Sequence, residues 1–254
     1  MRIGFIGTGT ISAAVIEGLQ SLPDAPEIIV SPRSEAISRG LSARFAKVSR
    51  AESNAGVAKA DIIFLGVRPI HLDEAMSGID FGEGQIVASM VAGFGLAEIR
   101  ARWPKPRVCR VIPMPGIAHG KGPIATYPAV PEIVNLLAPL GDLFVVSDES
   151  KLGFGGLHAF MSSYFELQRA LIEVGMGTGL PEVDARRYVV SLLGMLADTA
   201  QRTPPESFAR LVEEHQTKGG LNERMRAALL GRGWFDVPRA ALNETTTLSY
   251  RKLG

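Results

Sequence analysis

The chain is nearly devoid of cysteine: Cys109 stands alone among 254 residues. One thiol excludes an internal disulfide, and with it the disulfide-stapled secreted scaffolds. The cytoplasm is the compartment expected from that. The chain also lacks an excess of charge of either sign. Lys and Arg number 27 against 26 Asp and Glu, a formal net charge of +1. No basic face or acidic tail is implied, so no nucleic-acid partner is expected. Long apolar runs are missing too. No segment approaches the ~20 uninterrupted apolar residues of a membrane span, so no membrane partner is expected. The apolar N-terminus is cut by Gly4, Gly7 and Gly9 and does not read as a signal peptide. His71, His119, His158 and His215 are scattered without ligand spacing, so no metal is expected.

What is present is apolar residue, 46% of the chain, in short runs. Over residues 1–147 these runs alternate with helical spacing. Strands are expected at Ile3–Gly7, Glu27–Ser31, Asp61–Val67, Gln85–Met90 and Arg107–Pro113, with a short one starting at Lys47–Val48. Helices are expected at Ile11–Leu22, Glu35–Phe45, Ala51–Lys59, His71–Met76 and Leu96–Trp103, and edge strands at Gly120–Tyr127 and Leu143–Ser147. This alternation predicts an α/β fold, a doubly wound Rossmann sheet covered on both faces. Residues 148–254 read as all-helical: Glu149–Val174 as one long helix joining the domains, then Pro181–Arg202, Pro204–His215, Leu221–Leu230 and Val237–Lys252. The expected domains are therefore 1–147 and 148–254. The stretch Val189–Leu196 is apolar around most of a helix and must be buried on every side. A domain of about a hundred residues has much surface for its volume. A second copy of the chain is expected to cover part of it, giving a homodimer or higher homo-oligomer; cover by the dinucleotide domain is the alternative.

The opening segment, Met1 to Ala14, runs an apolar strand into Gly7-Thr8-Gly9 and then a helix beginning near Thr10 and Ile11. Such a turn brings backbone N–H groups and a helix N-terminus to a diphosphate. Ser12 takes the position of the usual third glycine and is small enough to pack there. The second strand ends at Ser31-Pro32-Arg33-Ser34 with no carboxylate before Glu35. Hydroxyls and a guanidinium there suit a 2′-phosphate, which favours NADP over NAD. Ligands in this fold lie beyond the carboxyl ends of strands, which adds Val67-Arg68-Pro69, Ala92-Gly93 and the 110–116 segment to the cofactor site. In the helical half, Thr217-Lys218-Gly219-Gly220-Leu221-Asn222 opens a helix. Its backbone N–H groups, Lys218, Thr217 and Asn222 would cradle a substrate carboxylate. The plainer reading is a turn between two helices with Thr217 as a cap. Cys109 reads as core, Tyr164 as packed or cleft-facing, and Glu206 as a cap or a substrate contact.

Together these segments resemble pyrroline-5-carboxylate reductases. The likeness rests on I-G-F-I-G-T-G at 3–9, E-G-L at 17–19, S-N-A at 53–55, A-D-I-I-F-L-G-V-R-P at 60–69, V-A-G-F at 91–94, R-V-I-P at 110–113, G-L-P at 179–181 and K-G-G at 218–220. The resemblance implies a Rossmann domain, a helical domain interlocked with a second subunit, and NAD(P)H reduction of a cyclic imino acid. It adds Asn54 and Met114 to the cofactor-binding residues, and it implies that Asn222 and Thr217 hold the imine. Three segments depart from the family. Met114 stands for an asparagine beside the nicotinamide, His158–Tyr164 (H-A-F-M-S-S-Y) for S-G-S-G-P-A-Y, and Asn222 for a threonine. The expected activity is NADPH-dependent reduction of 1-pyrroline-5-carboxylate to proline. A related reductase of another imine or carbonyl, or a non-catalytic NADP-binding regulator, are the alternatives. In the hydroxyacid dehydrogenases of similar build a lysine is followed four residues on by asparagine; here Lys151 is followed by Gly155.

Overall fold

A computed structural model describes residues 1–204 and 207–251. The chain divides into two compact units, Met1–Gly155 and Gly156–Gly254.

The first unit is built on an eight-stranded sheet. Its strands are β1 (Arg2–Ile6), β2 (Glu27–Val30), β3 (Val48–Arg50), β4 (Ile62–Leu65), β5 (Ile86–Ser89), β6 (Arg107–Pro113), β7 (Pro123–Tyr127) and β8 (Asp142–Val145). Spatially they run β3-β2-β1-β4-β5-β6-β7-β8. All neighbours pair in parallel except β6 and β7. The chain moves outward from β1 to β3 on one side, then crosses to β4 on the other. That reversal opens a crevice at the carboxyl ends of β1 and β4, where ligands of such sheets bind.

Period-two alternation supplies a core on each face. Ile3, Phe5, Ile28, Val30, Ile62, Phe64, Ile86 and Ala88 point one way, towards Val15, Ile16 and Leu19 of helix α1 (Thr10–Gln20). Ile6, Ile29, Ile63, Leu65 and Val87 point the other way, towards Leu72, Phe81, Ile99 and Trp103. Phe5 and Phe64 are register partners, and their rings stack at 4.8 Å. Both faces being covered at the centre of the sheet, β4 and β5 are buried along their whole length.

The connecting helices are α2 (Glu35–Arg44), α3 (Asn54–Val57), α4 (Leu72–Ala75), α5 (Leu96–Arg102) and α6 (Pro131–Leu137). The expected Ala51–Lys59 helix shrinks to one turn, capped by the Ser53 hydroxyl. The expected His71–Met76 helix is a 3-10 turn, Pro69–His71, followed by the four residues of α4. Sequence reading missed α6, which Pro131 opens at a position where proline's absent N–H costs nothing.

The helical unit contains α7 (Met161–Gly177), α8 (Glu182–Arg202), α9 (Phe208–Glu214), α10 (Leu221–Gly231) and α11 (Val237–Arg251). The single helix expected from Glu149 is corrected. Glu149–Phe160 is a 3-10 run, and α-helix starts only at Met161. Gly153, Gly155 and Gly156 interrupt that stretch, and each glycine disfavours α-helix by about 1 kcal/mol. The stretch Val189–Leu196 is only partly covered within the single chain. Val189 is buried, whereas Val190, Leu192, Met195 and Leu196 are exposed. Glu206 lies outside the described residues.

Candidate cofactor and substrate sites

β1 ends in a turn whose geometry only glycine permits. Gly7 has φ +93°, and a Cβ there would meet the Gly66 carbonyl carbon at 2.6 Å. Gly9 caps α1 from the opposite condition: nothing lies within 4 Å of the place its Cβ would occupy. No side chain caps the first turn of α1. Its leading N–H groups therefore open onto empty space beside Thr10 and Ile11, which fits a diphosphate. Ser12 fits as well as the usual glycine because its buried hydroxyl donates to the Gly7 carbonyl at 2.6 Å.

Thr8 and Ser31 are both fully buried. The Thr8 hydroxyl lies 3.2 Å from the Ser31 carbonyl and 3.1 Å from its hydroxyl, and Gly7 N–H donates to that hydroxyl at 3.0 Å. Their side chains fasten the phosphate turn to the end of β2.

At that end Arg33 and Ser34 are exposed. Ser34 caps α2 with φ +58°, a rare conformation for a residue with a Cβ, and its hydroxyl makes no cap bond. Arg33 pairs with Glu74 at 3.1 Å. Asn54 donates its amide to the Ala75 carbonyl at 2.9 Å, which ties α3 to α4. Val67, Arg68 and Pro69 leave the end of β4, with Arg68 exposed. Ala92 and Gly93 are exposed beyond β5, and Met114 is half-buried beyond β6. These residues share the carboxyl edge of the sheet, as sequence reading expected of strand-end loops.

Sequence reading passed over three charged groups at this edge: Arg50, Glu74 and Glu149. Glu149 Oε1 accepts from Leu96 N–H at 2.7 Å and from Arg110 Nη1 at 3.0 Å, joining the start of α5 to β6. None belongs to a motif. Arg50 and Arg110 sit at strand positions, where a charge beside a ligand edge is the available signal.

In the helical unit, the 217–222 loop opens α10 with Gly219 at φ +75°. Two of its N–H groups already have acceptors. Gly220 N–H donates to the Thr217 carbonyl at 2.7 Å, and Gly219 N–H donates to the Glu223 carboxylate. The Asn222 amide donates to the His215 carbonyl at 2.7 Å. Thr217, Lys218 and Leu221 are exposed. The loop has the anion-binding geometry, with a carboxylate of its own already on it.

Elsewhere, Cys109 is buried in β6, and burial pushes its thiol up to about 12. The Tyr164 ring lies tilted beside that of Phe165, 6.0 Å between centroids. His119 is exposed. Among the described residues no cluster of metal-ligating side chains occurs, and no helix is long and apolar enough to cross a membrane.

Residues 2–93 match the family described as NADP oxidoreductase, coenzyme F420-dependent. A pyrroline-5-carboxylate reductase from Corynebacterium melassecola is 29% identical over 220 residues, covering 80% of this chain and 81% of that protein. The 1-pyrroline-5-carboxylate reductase of Streptococcus pyogenes superposes with a TM-score of 0.82 at 21% identity, over 99% of this chain and 98% of that one. The pyrroline carboxylate reductase of Plasmodium falciparum, solved with NADP bound, gives 0.85 at 14% identity, over 100% and 98%. The sequence likenesses support an NAD(P)H-dependent oxidoreductase with NADP as its cofactor, and the open phosphate turn fits that cofactor. Within that class the chain is similar to pyrroline-5-carboxylate reductases over most of its length.

Proposed function

We propose that this protein reduces a small cyclic imino acid with NADPH, and that the substrate is 1-pyrroline-5-carboxylate and the product proline. The observation that carries this reading is the likeness to the Corynebacterium reductase, which extends across four-fifths of the chain and so spans both units. Residues 1–147 are the cofactor-binding part in this reading, and 148–254 the substrate and dimerisation part.

A bound NADPH supplies a hydride for the imine carbon. The chain's own task is to hold and orient. Gly7, Thr8, Gly9, Thr10 and Ile11 form the diphosphate turn; Arg33, Ser34 and Asn54 serve the adenosine end, with the buried Ser31 bracing the turn beneath them. Val67, Arg68, Pro69, Ala92, Gly93 and Met114 line the rest. The 217–222 loop takes the substrate carboxylate, which displaces Glu223 from Gly219 N–H. Thr217 and Asn222 then bond the substrate, Asn222 exchanging its His215 contact for it. A protonated imine accepts hydride without an acid–base dyad, and among the described residues neither candidate site contains one.

A second reading has a specific basis. Met114 and Asn222 replace the family's asparagine and threonine at the reacting end. A reductase of the same build acting on another imine or carbonyl would carry such changes. The test follows NADPH absorbance with purified protein and 1-pyrroline-5-carboxylate, then with other cyclic imino acids and keto acids. Turnover of the first supports the proposal. Turnover confined to the others supports the second reading, and tight NADPH binding without any turnover reveals a binding protein.

A further inference from the structure

β3 ends at Arg50, whose register partner is Val30, the last residue of β2. Its guanidinium folds under the β2–α2 turn. Nη2 donates to the Pro32 carbonyl at 3.0 Å, and Nε donates to the Ser38 hydroxyl at 3.1 Å. The side chain is 29% exposed. Two bonds to fixed acceptors hold the planar fork in place, with Nη1 left over. Arg33, the next residue after Pro32, approaches the same turn from solvent. Its partner there is Glu74 of α4, at 3.1 Å. Glu35 opens α2, but its carboxylate is drawn onto Arg39 at 2.6 Å. Its distance to Arg50 is 3.9 Å. The turn therefore presents two guanidiniums, an unspent Ser34 hydroxyl and an uncapped helix start.

We propose that Arg33 and Arg50 together read the 2′-phosphate of NADPH, and that Glu74 is the counter-ion that occupies Arg33 until the phosphate arrives. The inference rests on the cofactor site described above and names two determinants beyond it. Arg50 is the fixed arm, because its geometry is set by backbone and Ser38 whether or not cofactor is bound. Arg33 is the movable arm. Its bridge to Glu74 is exposed on both sides, and an exposed carboxylate pair is weaker than a forked contact to a phosphate dianion. NADH brings no phosphate, so neither arm contributes to its binding, and the Arg33–Glu74 bridge persists. Selectivity is then the difference between exchanging and keeping one ion pair.

Titration of the full chain with NADPH and with NADH, read by nicotinamide fluorescence, tests this in wild type and in the R33A, R50M, R50K and E74Q variants. R33A and R50M should each weaken NADPH about tenfold, the size expected for one charge-assisted contact. NADH affinity should stay within about twofold, because no phosphate contact is lost. R50K keeps the charge but not the fork and should fall between. E74Q removes an exposed competitor and should tighten NADPH several-fold. A wild-type NADPH:NADH ratio in both R50M and R50K overturns the role of Arg50, and one in E74Q overturns that of Glu74. Wild-type protein that binds neither nucleotide would instead overturn the cofactor site on which the inference stands.

Discussion

At the scale of single residues, chemistry is decided by where a group is held. Cys109 is an ordinary thiol in sequence. In β6 it is buried, and desolvation raises its pKa from 9.0 to about 12, although the Thr126 side chain partly opposes this. The native thiol should resist a thiol-reactive dye at pH 8 and react once the protein is unfolded in denaturant. Labelling of the native chain at the unfolded rate would contradict the burial. The same shift links stability to pH. The folded state must keep the thiol neutral, while the unfolded thiol ionises above 9.0. Its contribution is thus complete below pH 9 and is lost as pH rises towards 12, at about 1.4 kcal/mol per pH unit. Ser12 teaches a related lesson. By residue type it weakens the glycine motif, yet its hydroxyl closes the turn on the Gly7 carbonyl, which no spacing rule could show.

At the scale of elements, the ends matter more than the middles. Strand interiors were legible because two-sided burial makes them apolar, and β6 was expected at Arg107–Pro113 and forms there. Helix boundaries were less so. Glycines at 153, 155 and 156 turned an expected helix into a 3-10 run, because backbone entropy outweighed apolar spacing. That run starts with Glu149, which caps α5 and pairs with Arg110, whose side chain is 18% exposed. Removing the carboxylate would strand a part-buried guanidinium and a helix N–H together. Glu149→Ala should therefore lower unfolding free energy by about 1–3 kcal/mol, measured by urea denaturation. Unaltered stability would mean that water satisfies both donors.

For the whole molecule, the helical unit leaves a large apolar surface uncovered in the single chain. Phe165, Val183, Tyr188, Val190 and Met195 are each about half exposed or more, and a groove of about 750 Å³ between α7 and α8 is lined by Phe165, Ile172, Met176 and Val190. Surfaces of this kind mark association. We propose a homodimer formed through α7 and α8. Sedimentation should give at least twice the mass of one chain, and Phe165→Glu with Val190→Glu should shift it to monomer. A monomeric wild type at micromolar concentration would end that proposal. The sequence by itself determined the α/β class, the phosphate turn and the strand-end loops, because those follow from local periodicity and from Gly7, whose left-handed backbone and close neighbours exclude a side chain. It also carried the family likeness, through motifs kept in order along the chain. Only the tertiary structure decided which donors are free and which are spent: Thr8 and Ser31 locked together, Gly219 already holding Glu223, and Arg50 brought beneath Pro32. The pairings of Thr8 with Ser31 and of Arg50 with Pro32 join residues far apart in the chain, so their energies depend on a strand register that no local pattern records.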